Sequence, residues 1–191
     1  MGAAWKETEE GEKMGKKVLL IIPAENYRDE ELEIPKKYFG GEGLEITIAS
    51  TMAGECSGMM GGTATAEKAL EDVNVGEYDA VAFIGGSGTP SLRSNERALE
   101  IAREANGQGK VLGALCWAPT TLAKAGVLEG KKATVWFGDD PEYGMKTDKV
   151  LEKYGATYTG EGCTVDGDTV TADGPDNAEN FAREIVKALN Q

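Results

Sequence analysis

No histidine occurs anywhere in the chain, so the imidazole that usually takes a proton from a nucleophilic serine or cysteine is missing. Chemistry on this chain has to run on thiols and carboxylates. Cysteine is scarce as well: Cys56, Cys116 and Cys163 form an odd set of three, with no Cys-x-x-Cys pair. That set excludes a disulfide framework, and without histidine it argues against a zinc site. Long hydrophobic runs are also lacking. The longest, Val18 to Ala24, is interrupted by Pro23, whereas a membrane helix needs ~20 apolar residues. The first residues are rich in Glu and Lys and hold no apolar signal core, so no secretion is expected. A cytoplasmic protein with reduced thiols fits these features. Positive charge is outnumbered, with 20 Lys and Arg against 33 Asp and Glu and a net charge of −13. Nucleic acid is therefore not an expected partner, because phosphate binding needs clustered basic side chains. Neither a membrane, a metal nor a cofactor is expected.

What is present is an ordinary globular composition, 40% hydrophobic and 28% charged over 191 residues, which suggests one domain. Residues 1–15 lack periodicity and carry Gly2, Gly11 and Gly15; they read as a mobile tail, leaving 16–191 as the domain. Beyond Lys17 strand and helix patterns alternate. Val18-Leu19-Leu20-Ile21-Ile22 is continuously apolar, as in a parallel strand buried on both faces. A helix is expected from Asp29 to Phe39, strands over 44–49, 78–84, 111–115 and 133–136, and a small Gly-rich hairpin within 54–65. Further helices are expected after Ser94-Asn95, from Trp117, from a Thr147 cap, and behind an Asp176 cap. Asp166-Gly167 favours a type I′ hairpin turn. Such alternation predicts an α/β fold with a mostly parallel sheet and helices on both sides.

Cys116 stands where the strand Val111–Leu115 breaks into a helix-forming run that opens with Trp117-Ala118-Pro119. Nucleophiles of α/β enzymes are displayed at such turns. Position alone fits a buried structural thiol equally well. Pro119 tips the balance, since proline belongs in a first helical turn and sets Cys116 beside unpaired N–H groups. A helix dipole supplies at most about 2 kcal/mol, roughly one pKa unit, so the thiol needs a further partner to ionise. Gly85-Gly86 ends the preceding strand, at the same rim of the sheet. Backbone N–H groups there could join those of Cys116 and Trp117 as an oxyanion hole.

Several segments together resemble the DJ-1/PfpI (ThiJ/PfpI) superfamily. They are Gly85-Gly86-Ser87-Gly88, Gly113 to Pro119, Leu122 to Thr134, the closing stretch from Val165-Asp166-Gly167-Asp168 to Gly174-Pro175, and Glu31-Leu32-Glu33-Ile34-Pro35 in the first helix. The resemblance implies a flavodoxin-like three-layer sandwich, usually a homodimer or higher oligomer. It also implies a reactive cysteine, Cys116, facing a glutamate four residues before a proline, which here is Glu31. That glutamate assists only when protonated, because an ionised carboxylate would raise the thiol's pKa; the two groups would then share one proton. Protease-like members carry histidine directly after the cysteine, and others place one in the next strand. The matching positions here are Trp117 and Trp136, which together with Pro119 are candidates to line an apolar pocket. The resemblance therefore points to a cysteine-dependent enzyme of glyoxalase or deglycase type, or a related hydrolase, acting on a small-molecule electrophile. A redox or stress sensor working through Cys116 is the alternative, and a peptidase-like protein with impaired proteolysis is the third reading. Cys56 is expected near a subunit contact and Cys163 in the core.

Overall fold

The computed structural model describes residues 15–191; the expected tail lies outside the described residues apart from Gly15. In chain order, the first part comprises β1 (Lys17–Ile21), β2 (Glu25–Tyr27), α1 (Asp29–Gly41), β3 (Glu45–Ser50), β4 (Gly54–Gly58), β5 (Thr63–Ala66), β6 (Lys68–Ala69) and β7 (Ala80–Phe83). Next come α2 (Thr89–Arg93), α3 (Glu96–Gly107), β8 (Val111–Leu115), α4 (Pro119–Lys124), β9 (Lys132–Ala133), β10 (Asp139–Asp140) and β11 (Met145–Lys146). The chain closes with α5 (Thr147–Lys153), β12 (Thr157–Tyr158), β13 (Cys163–Asp166), β14 (Thr169–Ala172) and α6 (Ala178–Leu189).

The main sheet has seven strands in the order β13-β14-β8-β7-β1-β3-β6. All neighbours run parallel except β13, which pairs antiparallel with β14 at one edge. Successive side chains of a strand point to opposite faces, and β1 feeds two cores accordingly. Leu19 and Ile21 pack with Val81, Phe83, Leu99, Ile101 and Leu122 under α3 and α4. Val18 and Leu20 pack with Leu32, Phe39, Phe181 and Ile185 under α1 and α6. Gly113 in β8 is required by the second core: a Cβ there would lie 2.7 Å from Phe181 Cζ. α3 starts as its sequence indicates, with the Asn95 side chain accepting from Ala98 N–H at 3.1 Å. No helix among the described residues is long and apolar enough to cross a membrane.

Five local expectations are corrected. The helix after Cys116 begins at Pro119, not Trp117, so Trp117 and Ala118 form a turn. The strand expected over 133–136 is reduced to Lys132–Ala133, paired with β12. Beyond it, Thr134 N–H donates to Thr171 Oγ1 at 2.9 Å and Trp136 N–H donates to the Cys116 carbonyl at 2.7 Å. Those donors are satisfied without a ladder partner, and the segment is drawn across the elbow instead. Thr147 caps nothing: it is the first residue of α5, and its hydroxyl donates to the Trp136 carbonyl. Asp176 lies in a 3-10 turn before α6, where no side chain caps the helix. The last hairpin turns on Gly167 and Asp168, and of these only Gly167 has positive φ, at 59°; a type I′ turn needs it at both central residues.

Candidate functional site

β7 and β8 are adjacent and parallel, so their C-terminal ends deliver Gly85-Gly86 and Cys116 to one rim. Cys116 has φ of 63°, a left-handed conformation that costs a non-glycine residue roughly 1–2 kcal/mol. Its N–H donates to the Ala172 carbonyl at 2.9 Å and its carbonyl accepts from Trp136, so both neighbouring segments hold the strained residue in place. The side chain faces a cavity of about 250 Å³ lined by Arg28, Glu31, Met59, Gly86, Trp117 and Trp136, with Ser87 and Pro175 completing the wall. The two indole rings sit 5.7 Å apart at 52°.

Glu31 comes from the first turn of α1 and is completely buried. One carboxyl oxygen, Oε2, accepts from Gly85 N–H at 3.0 Å. The other, Oε1, is buried and takes no donor in strict hydrogen-bonding geometry, although the Cys116 thiol lies close enough to interact with the carboxyl. An acceptor left dry in this way is costly, and a proton on it, offered to sulfur, removes the cost. Burial pushes the Glu31 carboxyl up to about 7, against the opposing influence of the thiol, Gly85 N–H and Arg28. Burial and then the negative charge of Glu31 push the Cys116 thiol above its ordinary range, while the N–H groups of Gly86 and Trp117 work to lower it. Two groups that each resist charge beside the other titrate as a pair. With the carboxyl at about 7 the pair starts to lose a proton around neutral pH; the amides aimed at sulfur favour the charge there, while burial and the Glu31 charge oppose it.

Cys116, Glu31, Gly86, Trp117 and Trp136 thus meet at one cavity. Two other expected members do not contribute as anticipated. Gly85 N–H is committed to Glu31 Oε2, so it cannot also donate to an oxyanion; Pro119 is buried in the first turn of α4 and does not line the cavity. The Cys116 N–H is likewise engaged, by Ala172. The amides facing sulfur are those of Gly86 and Trp117. Glycine is needed at 86: φ is 112°, and a Cβ would lie 2.5 Å from Arg28 N. Gly85 has a different constraint, since its Cβ would lie 2.5 Å from the Leu115 carbonyl and 2.7 Å from Cys116 Cβ.

Arg28, Met59, Ser87 and Pro175 line the cavity without having been expected there, although Ser87 and Pro175 fall within the family-like segments. Arg28 precedes α1, and its guanidinium pairs with Glu30 at 2.8 Å. It had a faint signal, as the lone cation before Asp29-Glu30-Glu31. Met59 is carried on the β4–β5 loop. Asp29 fastens that loop by accepting from Met60 N–H at 2.8 Å and Gly62 N–H at 2.6 Å. Cys56 is buried and Cys163 half-buried, both at the second core, and neither lines the cavity.

Comparison with known proteins fits this architecture. The model of the DJ-1/PfpI family matches residues 16–188. The chain belongs to the DJ-1/PfpI family. Among its relatives, an uncharacterized protein of Methanocaldococcus jannaschii is 41% identical over 176 residues, 92% of this chain and 83% of that one. Deglycase PfpI of Pyrococcus furiosus is 32% identical over 171 residues, covering 90% of this chain and 98% of its own. The crystal structure of a ThiJ/PfpI domain protein from Brachyspira murdochii superposes with a TM-score of 0.85 at 26% identity, over 93% of this chain and 98% of that one. The DJ-1/PfpI fold is flavodoxin-like, in agreement with the parallel sheet flanked by helices described above.

Proposed function

We propose that this DJ-1/PfpI protein is a cysteine-dependent enzyme of deglycase or glyoxalase type that acts on small carbonyl electrophiles without a cofactor. The observation that carries the reading is the strained Cys116, open to a cavity, beside a buried glutamate whose carboxyl burial raises to about 7, and facing two backbone N–H groups. Sulfur adds to the carbonyl carbon, the carbonyl π pair moves to oxygen, and the N–H groups of Gly86 and Trp117 stabilise the developing charge. The proton held by Glu31 passes to that oxygen, giving a neutral hemithioacetal and leaving a carboxylate. Glu31 is then free to accept a proton from carbon or oxygen in the next step, which is how one acid replaces an imidazole in both directions. The deglycase name of the Pyrococcus furiosus relative supports the substrate class. Purified protein should consume methylglyoxal, and Cys116→Ser and Glu31→Gln should each abolish the reaction. Turnover no greater than that of heat-killed protein would overturn the proposal.

A second reading, oxidation of Cys116 as a redox or stress signal, is favoured by its access to the cavity while Cys56 is buried. A neighbouring carboxylic acid would hydrogen-bond a sulfinate. Peptide hydrolysis by a Cys–His pair has no support, because the residue after Cys116 is Trp117 and its indole N–H is engaged with Asp140.

A further inference from the structure

Arg93 and Asp140 form an ion pair in which both side chains have no exposed surface. The guanidinium is bidentate, with Nη1 to Oδ2 at 2.5 Å and Nη2 to Oδ1 at 3.0 Å. Removing two charges from water costs several kcal/mol per ion, roughly, and an apolar pair would fill the space without that penalty. A buried ion pair is therefore weak evidence for stability and leaves room for a further role. Its other partners show which. Asp140 Oδ2 also accepts from Trp117 Nε1 at 2.9 Å, and Arg93 Nη1 also donates to Thr120 Oγ1 at 3.0 Å. Thr120 in turn donates to the Trp117 carbonyl at 2.8 Å. Glu142 takes Arg93 Nη2 at 2.8 Å, and Tyr143 lies against the cation at 4.7 Å.

The chain positions of these residues give the cluster its meaning. Arg93 ends α2, the helix that starts directly after the Gly86 loop, and Thr89 of that helix hydrogen-bonds to the Gly86 carbonyl at 2.9 Å. Thr120 lies in the first turn of α4, three residues after Trp117. Asp140, Glu142 and Tyr143 belong to the excursion that follows Trp136. Arg93 thus ties together the three segments that supply Gly86, Trp117 and Trp136 to the cavity.

We infer that the Arg93–Asp140 ion pair is a clasp that positions Trp117, holding its backbone N–H on the Cys116 sulfur and its ring against Trp136. Neither Arg93 nor Asp140 lines the cavity, so both act through Trp117. This inference rests on the reading that Cys116 and the two amides are the reacting ensemble, yet its test needs no turnover.

Trp117 and Trp136 are close enough for their indoles to couple and give a paired near-ultraviolet circular dichroism signal, which Trp117→Phe assigns by removing it. Asp140→Asn is nearly isosteric, but its single oxygen can serve either Trp117 with Arg93 Nη1, or Nη2, and not both. Arg93→Met removes the cation outright. Both variants should weaken the paired signal and slow iodoacetamide labelling of Cys116 by about tenfold, the worth of one misaligned amide on a charged sulfur. Ile185→Ala, in the opposite core, should lower thermal stability and leave both readings at wild-type values. Wild-type signal and labelling in Asp140→Asn, or equal losses in Ile185→Ala, would overturn the inference. If Arg93→Met does not fold, Asp140→Asn decides alone. Absence of methylglyoxal turnover in wild-type protein whose Cys116 labels readily would count against the proposed reaction and leave the clasp intact.

Discussion

Glu31→Gln should make the protein less reactive and more stable, with each effect confined to its own pH range. The Glu31 carboxyl is pushed from 4.5 to about 7 by burial. The native state then binds more protons than the unfolded chain across that window. Its contribution to stability is full below about 4.5, falls as the pH rises, and is lost above about 7. A shift of that size corresponds to roughly 3 kcal/mol. Glutamine cannot ionise, but its side-chain oxygen can still accept from Gly85 N–H. The variant should therefore gain up to roughly 3 kcal/mol over wild type at pH 8, or about 6–12 °C in Tm for a domain of this size, and come within about 1 kcal/mol of wild type at pH 5. Reactivity moves the other way. In wild type the singly charged pair forms with an apparent pKa near 7. In the variant the thiol titrates alone, and burial keeps it at or above its ordinary 9.0. A gap of about two units means a loss of up to about a hundredfold in thiolate at pH 7, reduced towards about tenfold by the time the wild-type charge spends on the carboxylate. Iodoacetamide labelling of Cys116, read at the peptide level from pH 5 to 10, checks this part, and urea melts at pH 5 and 8 check the other. A Gln variant that keeps the labelling step near pH 7, or that is less stable than wild type at pH 8, would refute the shared-proton account.

The remaining predictions follow from the same geometry. Because Cys116 has positive φ, Cys116→Gly should be more stable than Cys116→Ala by about 1–2 kcal/mol, the reverse of the usual order; paired thermal melts decide, and an Ala variant of equal stability removes the strain argument. Gly85→Ala forces a Cβ against the Leu115 carbonyl and Cys116 Cβ, so it should cost about 1–3 kcal/mol and also slow Cys116 labelling. Gly113→Ala crowds Phe181; it should destabilise by a similar amount while labelling per folded molecule stays unchanged. Mild peroxide should oxidise Cys116 before the buried Cys56, as mass spectrometry would show, and equal oxidation of all three thiols would weigh against the sensing alternative.

The parts of this molecule that were legible in the sequence are those whose causes lie within a few residues. The apolar run from Val18 marked a strand buried on both faces, and Asn95 marked the start of α3. The junction of Leu115, Cys116 and Pro119 marked the elbow. Errors arose where a local pattern competed with a distant partner. Val135 and Trp136 have strand-forming character, yet Trp136 N–H is taken by the Cys116 carbonyl, and the strand stops at Ala133. Thr147 looks like a cap, yet its hydroxyl is used to hold Trp136. In both cases the competing partner serves the cavity, so the departures from local preference concentrate around the site.

The same reasoning explains why the bonds that hold the site together were not legible in the sequence. Cys116 and Trp117 are adjacent in the chain, and the family resemblance supplied Glu31. Gly85, however, serves the site through a bond spanning 54 positions to Glu31, and Asp29 reaches 33 positions to Gly62 in order to hold the Met59 loop. Such bonds leave no trace at short range. What the sequence does record is the missing imidazole, and the structure shows its consequence. Without a base that becomes positive when it takes the proton, Cys116 and Glu31 can only exchange a single negative charge between them. In the proposed reaction fixed N–H dipoles have to favour sulfur as its seat against burial and the Glu31 charge, because no mobile cation is generated to do so. Arg28, the one cation lining the cavity among the described residues, is already paired with Glu30. The alignment of Gly86 and Trp117 therefore matters more here than in a site with a histidine, and a buried clasp on Trp117 is physically reasonable in spite of its desolvation cost.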